Sequence, residues 1–250
     1  MSQRTNARPA APDPAAAGEE LAAISGTPPD SRYGFGEFPL DPIRPGTALL
    51  VVSPAAVDAP AKRLLAAGNP GEGVVGVAAR SSPRRFLHSL AEATSESLAQ
   101  SHIGVLGCMG SLTPRIQSFP AAHVHSVGSP ADLTGIGMRF TDLYRGVTDA
   151  LDAEGRENPP VRACLDSLTV LAQYVGERTL YRFLNAFNSR VRSAGMLGIT
   201  TVNRGAHAEH ELGRFAGLFD GLVEVRERED GTLERRVRGL PGQDRSWAAL

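Results

Sequence analysis

Lysine is almost absent from this chain. Of 26 basic residues only Lys62 is a lysine, and the rest are arginine. Alongside abundant alanine, glycine and proline, that bias points to a GC-rich genome rather than to arginine chemistry. Charge of one sign is lacking too. The net charge is −1, so no long-range field draws the chain to nucleic acid or to an anionic membrane surface. Cysteine is scarce: Cys108 and Cys164 stand apart, each inside an apolar run, with no CxxC pair and no metal-ligand spacing. Two buried, reduced thiols are expected rather than a disulfide, which suits a cytosolic protein. No stretch approaches the ~20 apolar residues of a membrane span, and the N-terminus has no apolar signal-peptide core. A soluble, cytoplasmic protein is therefore the expectation. What is present fits it, since 42% hydrophobic and 21% charged residues are ordinary for a globular protein. The 250 residues suit one α/β domain with a tail.

Residues 1–30 are rich in Ala, Pro, Ser, Asp and Glu and lack the apolar content needed to offset the entropy of ordering. They read as a disordered tail, with a short helix over Gly18–Ile24 as the one structured option. Tyr33, Phe35, Phe38 and Leu40 form an apolar lead-in expected to pack on the edge of a domain spanning 31–242, and 243–250 read as a short C-terminal tail. Apolar runs at 47–53, 74–79, 103–108, 124–127, 161–166 and 197–203 predict strands, those of the inner runs buried on both faces. Helical patterns lie between them at 59–67, 83–100, 133–154 and 174–194. The last carries Leu180, Phe183, Leu184, Phe187 and Val191 at helical spacing. Such alternation predicts βαβ units and a mainly parallel sheet with helices on both faces. After His210 the pattern changes. Residues 222–228 and 232–238 alternate apolar and polar across Asp230-Gly231, which predicts a terminal antiparallel hairpin.

The chemistry centres on Asp166. The run Val161–Asp166 is an apolar strand ending in a carboxylate, and in open α/β sheets ligands bind at the carboxyl ends of strands. In a phosphate-loop enzyme such an aspartate orients magnesium. The competing reading is a strand-end Asp that caps the next helix together with Ser167. A phosphate loop needs glycines to curl its N–H groups inward, a lysine, and a hydroxyl for Mg²⁺. After the first strand, Ser53–Pro60 supplies none of these at the required slots: Ala56 and Asp58 replace the glycines, Ala59 the lysine and Pro60 the hydroxyl. Lys62 lies three positions beyond the lysine slot, and a solvated helix lysine is expected there rather than an anion ligand. Asn203 closes the next strand, either as a γ-phosphate sensor or as a plain strand-to-loop Asn.

Several segments together resemble one family. They are Asp166-Ser167-Leu168, Leu180–Leu184, Arg190–Gly195 leading into Leu197–Thr200, Gly128–Gly137, Gly205-Ala206-His207, Leu218–Arg226 and Arg236–Pro241. Over about residues 45–242 the chain resembles KaiC-type domains of the RecA superfamily, nearest to an uncharacterised group common in halophilic archaea. Its near-neutral charge departs from the acidic composition usual in halophiles. The resemblance implies a RecA-like core and a regulatory or signalling role. ATP binding does not carry over to residues 53–60, where the Walker A loop is degenerate. Asp166, Ser167, Lys62 and Asn203 are the cofactor-binding candidates in the event that nucleotide binds.

Other candidates have plainer readings. His207 and His210 would be a metal pair at i, i+3 but lack a third ligand, so a polar loop leading into a helix is expected. His123 and His125 share one face of a short strand and read as a sheet-edge pair. Asp132 and Thr134 read as caps within Gly128–Gly137 rather than as an anion site. Arg226, Arg228, Arg235, Arg236 and Arg238 interleave with Glu224, Glu227, Glu229 and Glu234, which predicts cross-strand ion pairing on a solvated face rather than a nucleic-acid footprint. The expectation is a non-catalytic RecA/KaiC-like regulatory or interaction module, without cofactor or metal, that self-associates or binds a protein partner. The rivals are an ATP-binding protein or weak ATPase using ATP and Mg²⁺, and a DNA-recombination accessory protein.

Overall fold

Runs of Val, Leu, Ile and Ala with no polar alternation fold as strands covered on both sides. In Ala48–Ser53 (β1), Gly73–Ala78 (β2), Ile103–Gly107 (β3) and Val161–Asp166 (β5) every residue is buried. The computed structural model describes residues 32–54, 59–68, 71–93, 102–109 and 116–250. Its remaining strands are His123–Ser126 (β4), Leu197–Asn203 (β6), Gly221–Glu227 (β7), Leu233–Arg238 (β8) and Ala248–Ala249 (β9). The helices are Ala59–Ala66 (α1), Pro83–Glu92 (α2), Leu133–Ala153 (α3), Leu168–Tyr174 (α4), Glu177–Ser193 (α5) and Glu209–Ala216 (α6). Among the described residues one sheet runs in the order β4-β3-β2-β5-β6-β1-β7-β8-β9. It is parallel from β4 through β7, and β8 and β9 add antiparallel.

The sheet separates two apolar layers. Leu50, Val52, Val75 and Leu165 point into a layer closed by α3, α4, α5 and α6. Leu180, Leu184, Phe187 and Val191 form the buried stripe of α5, and Phe187 packs on Phe140 with ring centroids 5.0 Å apart. Leu49, Val51, Val74 and Ile199 point the other way, onto α1, α2 and the N-terminal segment. In that segment Tyr33, Phe35, Phe38 and Leu40 are buried as expected. They are anchored by Arg162, a fully buried side chain. Arg162 Nε donates to Glu72 Oε2 at 2.7 Å, Nη1 to the Leu64 carbonyl and Nη2 to the Gly34 carbonyl. Its guanidinium also lies 5.2 Å from the Phe35 ring centre.

The predicted architecture therefore stands: a mainly parallel α/β sheet, helices on both faces, and a C-terminal antiparallel hairpin turning at Gly231, whose φ of +81° favours glycine. Three details differ. The pattern at 174–194 begins later, because Val175 and Gly176 are extended between α4 and α5. Helix α4 is not among the predicted helical patterns, its seven residues making only about two turns, although the capping reading of Asp166 and Ser167 implies a helix there. The helix expected over 83–100 ends at Glu92. Its second part, along with the tail at 1–30 and the Gly18–Ile24 helix, lies outside the described residues. Among the described residues no helix is long and apolar enough to cross a membrane.

Candidate functional site at the carboxyl edge of the sheet

Strands β1, β5 and β6 are parallel neighbours in the sheet, with Ser53 level with Asn203. Their last residues, Ser53, Asp166 and Asn203, therefore lie on the same edge, where open α/β sheets place ligands. Asp166 is almost wholly buried, so its charge must be compensated within the protein. Lys62 Nζ lies 2.9 Å from Oδ2. Thr201 Oγ1 donates to Oδ1 at 2.8 Å, and Arg80 Nε approaches the same oxygen at 3.3 Å. Burial pushes the Asp166 carboxyl up, but the Lys62 and Arg80 charges and the hydrogen bonds from Lys62 and Thr201 outweigh it. The group is held below the usual carboxylate range. The Asp166–Ser167 peptide is cis.

Lys62 is the main departure from expectation. It is not a solvated helix lysine: its residue is 2% exposed, and its ammonium also sits 3.6 Å from the Phe86 ring centre. The reason lies in α1. Lys62 precedes Leu65 and Ala66 by three and four positions, and both are buried, so it shares their inward face. That spacing was legible in the sequence. What was not legible is that the face meets the end of β5 rather than solvent.

Of the capping reading weighed for Asp166 and Ser167, Ser167 alone takes the role, its Oγ accepting from Val170 N at 3.4 Å at the start of α4, while the Asp166 oxygens face Lys62, Arg80 and Thr201. Asn203 Oδ1 accepts from Gly205 N at 3.0 Å and so caps the 3₁₀ turn Arg204–Ala206. The Asn203 backbone N–H donates to Thr169 Oγ1 at 2.9 Å, and that hydroxyl also meets His207 Nε2 at 3.1 Å. Thr169 was missed from the sequence because its helix was. Of the four cofactor-binding candidates, Lys62 and Asp166 are in direct contact, and Ser167 and Asn203 line the cavity beside them. That cavity, bounded also by Ser53, Pro54 and Arg80, has a volume of about 90 Å³. Small-molecule sites usually span about 300–1,000 Å³. A magnesium ion takes oxygen ligands at close to octahedral geometry, and here both Asp166 oxygens already serve cations or a hydroxyl. The described residues thus do not fit the metal of a phosphate-loop enzyme. Within the loop itself Ala59 and Pro60 open α1, while Ala56 and Asp58 lie outside the described residues.

The remaining candidates fall elsewhere. His207 packs edge-on to Phe215 at 5.8 Å, and His210 is exposed on α6. His123 and His125 lie on β4, the edge strand of the sheet. Among the described residues no group of three or more His, Cys, Asp or Glu side chains is placed to hold a metal. Asp132 caps α3, its Oδ1 accepting from Gly135 N at 2.8 Å. Thr134 lies within the first turn of α3. Cys108 and Cys164 are free and buried, and burial pushes both thiols up to about 12. On the hairpin, Glu224 opposes Arg236 and Arg226 opposes Glu234. Contacts of 2.7 Å between Arg236 Nη2 and Glu224 and of 2.6 Å between Arg226 Nη2 and Glu234 form the expected cross-strand pairs, but the face is not fully solvated, since Glu224 and Arg235 are buried.

The fold is similar to that of a solved KaiC-like protein, PH0186, from the hyperthermophilic archaeon Pyrococcus horikoshii OT3. The TM-score is 0.55 at 15% identity, over 88% of this chain and 92% of that one. At that identity the likeness speaks for the fold alone, which is KaiC-like and RecA-like. None of the curated proteins matches the chain. Residues 46–225, from the entry of β1 into β7, match the family described as "Family of unknown function (DUF7504)". The chain belongs to that family, as a member with a RecA-like core whose strand-end aspartate is ion-paired to its own lysine.

Proposed function

We propose that this protein is a non-catalytic RecA/KaiC-like domain that works as a regulatory or signalling interaction module. The observation that carries the reading is the buried contact of 2.9 Å between Lys62 and Asp166. In phosphoryl transfer the protein contributes positioning and charge stabilisation around a metal-bound phosphate. Here the carboxylate that would orient the metal is neutralised by an internal cation. A divalent ion brought to Asp166 would have to displace the Lys62 ammonium into an apolar layer beside Phe86, which is costly for an isolated charge. The loss of glycines, lysine and hydroxyl along Ser53–Pro60 supports the same reading. Self-association, or pairing with a protein partner, is the mode of action that a RecA-like core without its own chemistry suggests.

The test is a phosphate-release assay on the intact protein with ATP and Mg²⁺, run beside Lys62→Ala. Release indistinguishable from a buffer blank in both is the expected result. Release by the native protein that Lys62→Ala lowers would instead establish an ATPase with an unconventional loop.

A further inference from the structure

A second cavity, of about 260 Å³, opens between α6 and the β7–β8 hairpin. It is separate from the Asp166 site. Its apolar surface comes from Val52, Leu212, Ala216 and Leu222, and its polar side is dominated by arginine. Arg204 Nη2 donates to Glu224 Oε1 at 2.8 Å, while Arg236 reaches Oε2 through Nε at 2.9 Å and Nη2 at 2.7 Å. Arg238 Nε stands 3.6 Å from the same oxygen. Three guanidinium groups thus converge on one buried carboxylate, and the only other acid in the lining is Glu209 on the exposed face of α6. Three positive charges against two negative leave the cavity one charge in surplus.

The donors are also in surplus. A guanidinium carries five N–H groups, and Glu224 engages only a minority of the fifteen available. Arg204 and Arg238 keep about half of their side-chain surface exposed, at 47% and 56%. A carboxylate arriving there would meet two exposed guanidinium groups, Arg204 held by its bond to Glu224 and Arg238 standing beside the same carboxylate at 3.6 Å. An apolar body attached to it would cover Leu212 and Leu222. The space is just below the usual range for small-molecule sites, which favours a compact ligand over a nucleotide.

We infer that the cleft between α6 and the hairpin binds a small monocarboxylic acid with a branched or aromatic body, its carboxylate on Arg204 and Arg238 and its body on Leu212 and Leu222. Such a ligand would give the regulatory module an input of its own. The inference does not depend on the fate of nucleotide at Asp166, because it concerns different residues and is tested without nucleotide.

The experiment is a calorimetric titration of the full chain, free of nucleotide and Mg²⁺, with phenylacetate, with its neutral amide and with inorganic phosphate. Saturable binding of phenylacetate is expected, weakened about tenfold or more by loss of the ligand's charge in the amide. Arg238→Gln should weaken it by a similar factor, and it leaves Arg204 and Arg236 to pair Glu224, so the fold is retained. Leu212→Trp should block the cavity while keeping every arginine, and circular dichroism melting checks both variants. No binding of phenylacetate would overturn the inference. So would equal binding of phosphate and phenylacetate that Leu212→Trp leaves unchanged, since that result describes an exposed arginine cluster only.

Discussion

At the scale of single residues, the chain's one lysine occupies its most consequential position. Lys62 and Asp166 are buried together, and a buried ion pair is costly to break from one side and far less costly to replace as a whole. Lys62→Met should therefore destabilise the protein by about 3–5 kcal/mol, because it leaves the buried Asp166 Oδ2 without its cation while only Oδ1 keeps Thr201 and Arg80. Adding Asp166→Asn should recover most of that loss, and urea unfolding of the two variants measures both. Acid has a matching signature. Asp166 is held below the usual carboxylate range in the folded state. Its contribution is thus present above the unfolded value of about 4 and is lost as the pH falls through the folded value. The decline in stability on acidification should be shallower in the Lys62→Met/Asp166→Asn double variant. The cysteines behave in the opposite sense: burial pushes their thiols up to about 12, so they stay protonated at neutral pH and shielded. Ellman's reagent at pH 8 should react with neither in the native protein and with both in denaturant.

At the scale of elements, the legible features were those with a long repeat. The buried strands announced themselves as unbroken apolar runs, α5 by its stripe, and the hairpin by alternation across Asp230-Gly231. Two short elements are missing from the predicted patterns: α4, whose seven residues make only about two turns, and the two-residue β9. Of the candidate site, Asp166 was legible because an apolar strand ended on it. Its partners were not, since Thr201 comes from β6, Arg80 follows β2 and Lys62 lies in α1, and only the sheet order brings them together. The N-terminal segment shows the same limit. Its aromatic residues foretold packing, but their anchor, Arg162, looked like one polar interruption in a strand. Arg162→Met would remove the buried Nε contact to Glu72 and the guanidinium donors to the carbonyls of Leu64 and Gly34. A loss of about 3–5 kcal/mol is expected, read as a lowered urea midpoint. Tyr33→Phe should cost less, about 1–3 kcal/mol, through its lost hydroxyl contacts to Val161 and Gly195.

At the scale of the whole molecule, a RecA-like sheet carries at its carboxyl edge an aspartate that is ion-paired to Lys62 and Arg80. The order β5-β6-β1 delivers Asp166, Asn203 and Ser53 to one edge. On the arginine-rich hairpin, Arg226 and Arg228 pair with Glu234, and Arg236 and Arg238 face Glu224. With a net charge of −1, no electrophoretic shift of DNA is expected even at low salt, where non-specific electrostatic binding is strongest. The central claim is that this fold has parted from nucleotide chemistry, and calorimetric titration of the intact protein with ATP and Mg²⁺ tests it most directly. The account predicts no saturable heat at micromolar nucleotide, in the native protein or in Asp166→Asn. Micromolar binding accompanied by turnover that Asp166→Asn abolishes would contradict it.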